Sequence, residues 1–421
     1  MPEVTGTVKE YGPGTIAESI KNKLAHMYRL PSKDCSIFRV PKVLLRPNVN
    51  AHAPVLISIG PYHRGKEGLE AMEELKLRYL HGLLNQLGRT VQKHITLKGL
   101  VSGVLRYAWE DYSCYEQPLT IERGEFAEMM IIDGCFIIEL LLKFVGIVEP
   151  DTTDPIFNKP CILDNIRRDL ILLENQIPWS FLQVLYFELV PQDDDKLFTN
   201  CDLINYSLSF LQQTLPVKFN LPEFTLRTFR VEPKHLLDLL YCTIVYSTLT
   251  DGSTLTISKD TDDTDENQMS NAWEPVPCVN DLSQAGIKFQ KGNESNILSL
   301  EFSKGVVKIP PLIIYKHTGC LFFNLIALEQ SRYDYEDKIG SYILLLNDLT
   351  KTSSDVHMLS ENGIIDNKLG SDEEDVSNFF KNLGQDVYVD NYFHVGLCHN
   401  IRKYANSQLW QKWVATFMPW I

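Results

Sequence analysis

The sequence is poor in the features that usually announce a function. None of its nine cysteines (35, 114, 135, 161, 201, 242, 278, 320 and 398) stands in a C-x-x-C pair. An odd count at irregular spacing makes a poor disulfide framework and a poor zinc site, and it predicts a reducing compartment. There is no G-x-S-x-G elbow, no G-x-x-x-x-G-K-S/T loop and no H-E-x-x-H helix, which removes the commonest hydrolase, nucleotide and metalloprotease signatures. Basic residues are in deficit, with 40 Lys and Arg against 54 Asp and Glu and a net charge of −14. A phosphate backbone needs a basic surface, so no nucleic-acid partner is expected, and an anionic leaflet would repel the chain. The N-terminus shows no basic stretch followed by an apolar one, so no cleaved signal is expected. No run reaches the ~18 apolar residues of a membrane span. The longest candidates, Met129–Val145 and Leu236–Leu249, are broken by Asp133, Glu139 and Asp238. As given, the chain is expected to be soluble.

What is present is core. Hydrophobic residues make up 44% of 421 positions, enough for one large domain or two ordinary ones. The greasiest stretch runs from Met129 to Leu185 and reads as two helices buried on most of their circumference. The second of them, beginning at Asp169, should break at Pro178 or restart with it. Asp133, Glu139 and Glu174 lie inside this apolar sequence, where an unpaired carboxylate would be costly. Each is therefore expected to be paired or hydrogen-bonded.

The fold class expected is mainly α-helical, α+β, with a large helical core and a small antiparallel sheet in the second half. Residues 1–35 read as an N-terminal extension with an amphipathic helix over Ile16–Tyr28. Residues 36–249 form a helical first half with short extended segments at Ser36–Val43 and Val55–His63. Helical spacing is clear over Gly68–Leu87, Leu100–Tyr115, Glu122–Val145, Leu203–Thr214 and Lys234–Ser247. Residues 250–277 are acidic and poor in apolar side chains, as in a solvated loop. They lack the glycine and terminal glutamate of a calcium-binding EF-hand loop. From Ala285 the period becomes two, with turns at Gly292-Asn293 and Lys304-Gly305, and helices resume at Leu321–Glu329, Ile339–Leu349, Ser353–Glu361 and Glu373–Leu383. Ser371 and Glu374 have capping-box spacing, and Ser353 and Ser354 are candidate caps for the helix before. Residues 278–421 are expected to pack as one domain with the first half.

The candidate chemistry is thin. Gly12-Pro13-Gly14-Thr15-Ile16-Ala17 fits G-x-G-x-x-A, but no hydrophobic strand precedes it, and it reads as a turn before a helix. His394 and Cys398 would share a helix face beside His399, without a nearby third or fourth metal ligand. His63, leaving an extended segment through Gly60-Pro61-Tyr62, is the most site-like histidine. Asp133, Glu139 and Glu174 could do acid–base work if their helices face each other, although charged residues bridging packed helices are commoner. No catalytic, cofactor-binding or metal residue is assigned. Trp410, Trp413 and Trp420 make either a packing face or a belt beside a membrane.

Nine blocks in order resemble the plant family called domain of unknown function 247. They are Ile37–Pro41, Ile57–His63, Met72–Leu80, Asp133–Leu140, Asp169–Pro178, His235–Leu240, Ala285–Phe289, Asn324–Gln330 and Gly363–Glu374. The resemblance implies a predominantly helical plant protein without established catalytic residues and without a cofactor. It also implies a hydrophobic tail after an Asn-Pro-Trp-like motif, matched here by Met418-Pro419-Trp420-Ile421, where this sequence stops. A full-length form would then be membrane-associated, at the plasma membrane, with the tryptophans as its belt. Some grass members are implicated in self-incompatibility on the pollen side, so recognition of a protein partner is the function expected. The alternative is an enzyme of unfamiliar type using His63 or the Asp133, Glu139 and Glu174 carboxylates.

Overall fold

The computed structural model describes residues 13–25, 34–46, 48–90, 96–116, 118–119, 121–190, 200–216, 232–246, 273–294, 296–332, 334–368, 370 and 372–417. Among them, apolar residues at a spacing of three and four fold as helices wherever the run is long. The central one is α4, Arg123–Phe144, where the sequence placed it. It is apolar all round, and such a helix must be wrapped by others. Its wrapping comes from α2 (Glu70–Thr90), α3 (Leu97–Glu110), α6 (Trp179–Leu189) and α7 (Asn200–Leu211). Gly134 sets the approach of α4 and α6, since a Cβ there would lie 2.6 Å from Leu185 Cδ2. Burying one side chain such as Phe136 contributes roughly 1.5–3 kcal/mol.

The second greasy segment departs from expectation. Helix α5, Pro160–Asp169, ends where the run begins, and Leu170–Pro178 is a buried series of turns rather than a helix. The side-chain amides decide this. Asn175 Nδ2 donates to the Asp169 carbonyl at 2.9 Å, and Gln176 Nε2 donates to those of Leu170 and Leu172 at 2.7 and 2.8 Å. Side chains thus satisfy carbonyls a helix would have used. Pro178 stands immediately before α6.

In the second half come α8 (Leu236–Tyr246), α9 (Val279–Gln284), β1 (Lys288–Lys291), β2 (Glu301–Ser303), β3 (Val306–Ile309) and β4 (Leu312–Ile314). They are followed by α10 (Thr318–Glu329), α11 (Lys338–Leu349), α12 (Ser353–Glu361), β5 (Ile365–Asn367), α13 (Glu373–Leu383) and α14 (Val395–Phe417). The sheet is mixed, not antiparallel as expected. β3 pairs antiparallel with β2 through the turn at Lys304 (φ 50°) and Gly305 (φ 77°), as in a tight hairpin. It pairs in parallel with β1, and β4 pairs in parallel with β5. Period two shows that strands exist but not which neighbour each takes.

Helix α12 is capped by Thr352, not Ser353 or Ser354, in a reciprocal box with Asp355. Asp372, one residue beyond Ser371, caps α13 by accepting from the Asp375 N–H at 2.9 Å. Helix α1, Pro13–Ala25, covers most of the amphipathic segment near the N-terminus. Residues 26–28 of that segment, Ser371, residues 250–272 of the acidic segment, and Met418 and Trp420 lie outside the described residues. Trp410 and Trp413 fall within α14. Among the described residues one hydrophobic core cluster has members from Ile37 to Ala405, so helices of both halves share it. Among the described residues no helix is long and apolar enough to cross a membrane.

Candidate functional site

The segment Val55–Gly60 was expected to be a strand. It is not one: the chain bends at Val55, Leu56 and Gly60, and among the described residues no strand lies beside it; carboxylates and amides take the place of a neighbour. The N–H groups of Val55, Leu56 and Ile57 all donate to the Asp169 carboxylate, at 3.0, 2.7 and 3.0 Å to the nearer oxygen. Ile59 donates to Asn175 Oδ1 at 2.7 Å and Gly60 to Asp133 Oδ2 at 2.9 Å. The carbonyls are served too. Asn175 Nδ2 donates to Ile57 at 3.0 Å, and Lys76 Nζ donates to Ser58 at 2.5 Å. Backbone groups buried away from water must be paired, and here side chains from three other segments do it.

The ion pairs behind this strap are buried. Lys76 is 0% exposed, and its ammonium meets Asp133 at 2.7 Å and Glu73 at 2.6 Å. Burial pushes the Asp133 carboxyl above its ordinary range, against the opposing pull of Lys76 and the Gly60 N–H. Arg168 pairs with Asp169 at 2.7 Å and also donates to the carbonyls of Ala53 and Asn50. Removing one partner of such a pair strands the other, which costs about 3–5 kcal/mol. At Gly60, φ is +74° and a Cβ would sit 2.5 Å from the Gln176 carbonyl oxygen, so only glycine fits.

The sequence candidates therefore separate. His63 does meet one of the acids: Nε2 lies 3.2 Å from Glu174 Oε2, and its side chain is 2% exposed. The pair is close but poorly aligned, since Nε2 makes no well-directed hydrogen bond. Burial alone would raise the Glu174 carboxyl. His63, the Val40 N–H at 2.9 Å and the charge of Arg39 outweigh that and hold it below its ordinary value. Glu139 is in a different cluster. It pairs with Lys143 at 2.9 Å, and Lys143 in turn pairs with Asp154 at 3.0 Å and lies 3.8 Å over the Tyr79 ring. Burial raises the Glu139 carboxyl to about 7, with Lys143 offsetting part of the effect. Asp133 faces Lys76 and Gly60, not Glu139 or Glu174.

His394 is buried without a partner for Nε2, and burial lowers its pKa to about 4. Cys398 is also buried, whereas His399 is exposed. Among the described residues no group of three or more His, Cys, Asp and Glu is placed to hold a metal ion, and Cys35, Cys114, Cys135, Cys161, Cys242, Cys278, Cys320 and Cys398 are free thiols.

Besides Lys76, Lys143 and Arg168 in the buried pairs, the sequence reading missed two further participants. Asn324 on α10 accepts from the Leu173 N–H at 2.9 Å and donates to the Ala51 carbonyl at 2.8 Å, tying the second half to the buried turns. Lys66 Nζ lies 2.7 Å from His63 Nδ1. The spacing of three between His63 and Lys66 was the available signal, but without a helix it did not imply contact.

A helical scaffold with a bent strap clamped by buried Asp, Asn and Lys is the class of protein these features define. The chain belongs to the DUF247 family, described as plant proteins of unknown function, whose model matches residues 37–419. It is similar to a UPF0481 protein of Arabidopsis thaliana, 30% identical over 406 residues, which cover 92% of this chain and 82% of the relative. A second UPF0481 relative from Arabidopsis thaliana is 24% identical over 416 residues, covering 80% and 76%. No solved structure matches the fold.

Proposed function

We propose that the protein is a non-enzymatic recognition or signalling component that presents variable surface connections on a rigid core. The observation that carries this reading is where the polar chemistry goes. Asp133, Asp169, Asn175 and Lys76 are buried and bonded to backbone or to one another. Groups used up in this way hold a scaffold; they do not stand ready in an open cleft. The acidic segment 250–277 is the proposed contact surface. Its C-terminal end is fixed where Arg402 pairs with Glu274 at 2.7 Å and the Val276 N–H reaches Asp348 at 3.2 Å. The resemblance to the family supports a plasma-membrane anchor in the full-length form, and pollen-side self-incompatibility as the narrower role. The partner is a protein.

Affinity capture from pollen and stigma membranes, with the full chain and with residues 250–272 replaced by a Gly-Ser linker, tests the reading. A partner held by the first and lost by the second supports it. An unchanged set of partners removes the acidic segment from the account. The enzymatic alternative requires His63 to turn over a substrate beside Glu174. Turnover abolished in a folded His63→Gln variant would establish that alternative in its place.

A further inference from the structure

The geometry points to Lys66 as an activated amine, an acyl-acceptor site in which an exposed lysine, a buried histidine and a half-buried glutamate lie next to one another in that order. The inference goes beyond the recognition reading and is independent of it, because it concerns covalent change of this chain by a small molecule. Three observations carry it. Lys66 is exposed, while His63 behind it is closed off from solvent. The two side chains meet at 2.7 Å between Nζ and Nδ1. An ammonium can only donate, so Nδ1 must be the accepting nitrogen and Nε2 carries the imidazole proton. Nε2 lies 3.2 Å from Glu174 Oε2, off the line of a hydrogen bond, and the carboxylate is fixed on its other oxygen by the Val40 N–H at 2.9 Å. A nucleophile touching a base, with a carboxylate close enough to stabilise that base once protonated, is an arrangement that activates weak nucleophiles. The loop is built to hold it. Lys66 N–H bonds the His63 carbonyl at 3.2 Å, and Gly65 and Gly68 take φ of 74° and 90° on either side.

The substrate class is a small acyl thioester. Lys66 passes one ammonium proton to His63 Nδ1, and the imidazolium is stabilised by Glu174. The freed lone pair attacks the thioester carbonyl carbon and forms a C–N bond. Collapse of the tetrahedral centre breaks the C–S bond, and sulfur leaves with the electron pair. The thiolate takes the second proton from nitrogen, and His63 returns the first to water. One amide, one thiol and one released proton result. Lys66 and His63 take part directly, and Glu174 is a positioning residue.

The test is site-by-site acetylation of the full chain by the acetyl thioester of N-acetylcysteamine, followed by peptide mass spectrometry. Lys66 is expected to acetylate at least ~10-fold faster than the exposed lysines 42, 98 and 316, the low end of what a positioned general base supplies. The His63→Gln variant should bring Lys66 down to their rate, and Glu174→Gln should displace the pH profile of Lys66 alone. A hydrogen bond that merely ties the side chain down gives the opposite, a Lys66 slower than its peers. A wild-type Lys66 rate at or below theirs overturns the proposal, as does an unchanged rate in folded His63→Gln. The wild-type comparison decides even where a variant fails to fold.

Discussion

Two stretches of non-helical chain in this molecule are held in opposite ways. In the second half, β3 lies between β1 and β2, and its backbone is satisfied by theirs. In the first half, Val55–Gly60 is a bent segment without a neighbouring strand among the described residues, and Asp169, Asn175, Asp133 and Lys76 do the work of the missing strands. The lesson concerns where stability is stored. A backbone ladder tolerates changes of side chain, because the bonds belong to the main chain. A strap held by side chains depends on each of them, and a single substitution strands both a charge and several N–H groups.

The sharpest way to break the comparison is Asp169→Ala. It leaves three strap N–H groups without their acceptor and the Arg168 guanidinium without its paired charge, and should cost roughly 3–5 kcal/mol in urea unfolding. A loss under about 1 kcal/mol would mean that water or another group serves the strap equally well.

Smaller, and spread over both halves, is a dependence on pH. Burial raises Glu139 to about 7 and Glu329 to about 8. The folded state therefore keeps these protons at pH values where the unfolded chain has released them. Their contribution is fully present below the ordinary glutamate value of about 4.5 and is lost as pH rises through 7 and 8. Stability should fall over that window by up to about 1.4 kcal/mol per pH unit for each group. Glu329→Gln should flatten the upper part of the curve. Unfolding curves from pH 5 to pH 9 check it, and a rise in stability across that range would reverse the assignment.

The least effect is expected in the sheet. Lys308 on β3 reaches Glu301 on β2 at 3.4 Å across an exposed surface. Lys308→Ala should change stability by no more than about 0.5 kcal/mol. A larger loss would show that side chains support the sheet as they support the strap.

Much of the helical fold was legible in the sequence. Helix α12 occupies the residues its pattern indicated, and α4 differs by a residue at each end, because long amphipathic or wholly apolar runs leave little choice of period. Legibility failed where two structures share one pattern. Leu170–Leu173 is apolar in a buried turn as it would be in a helix, and only the partners of Asn175 and Gln176 distinguish them. The parallel pairing of β1 with β3 was hidden for a similar reason, since alternation does not name a neighbour. For the candidate site, the need to pair Asp133, Glu139 and Glu174 followed from burial alone. Which group pairs with which did not, because Lys76, Lys143 and His63 come from other segments. Lys66 escaped notice entirely.

Amide hydrogen exchange over Val55–Gly60 tests the central claim most directly, namely that buried side chains serve this stretch as a strand would. The N–H groups of Val55, Leu56, Ile57, Ile59 and Gly60 should exchange as slowly as those in the middle of α4, through global unfolding. Exchange at the rate of an open loop, while α4 stays protected, would contradict it.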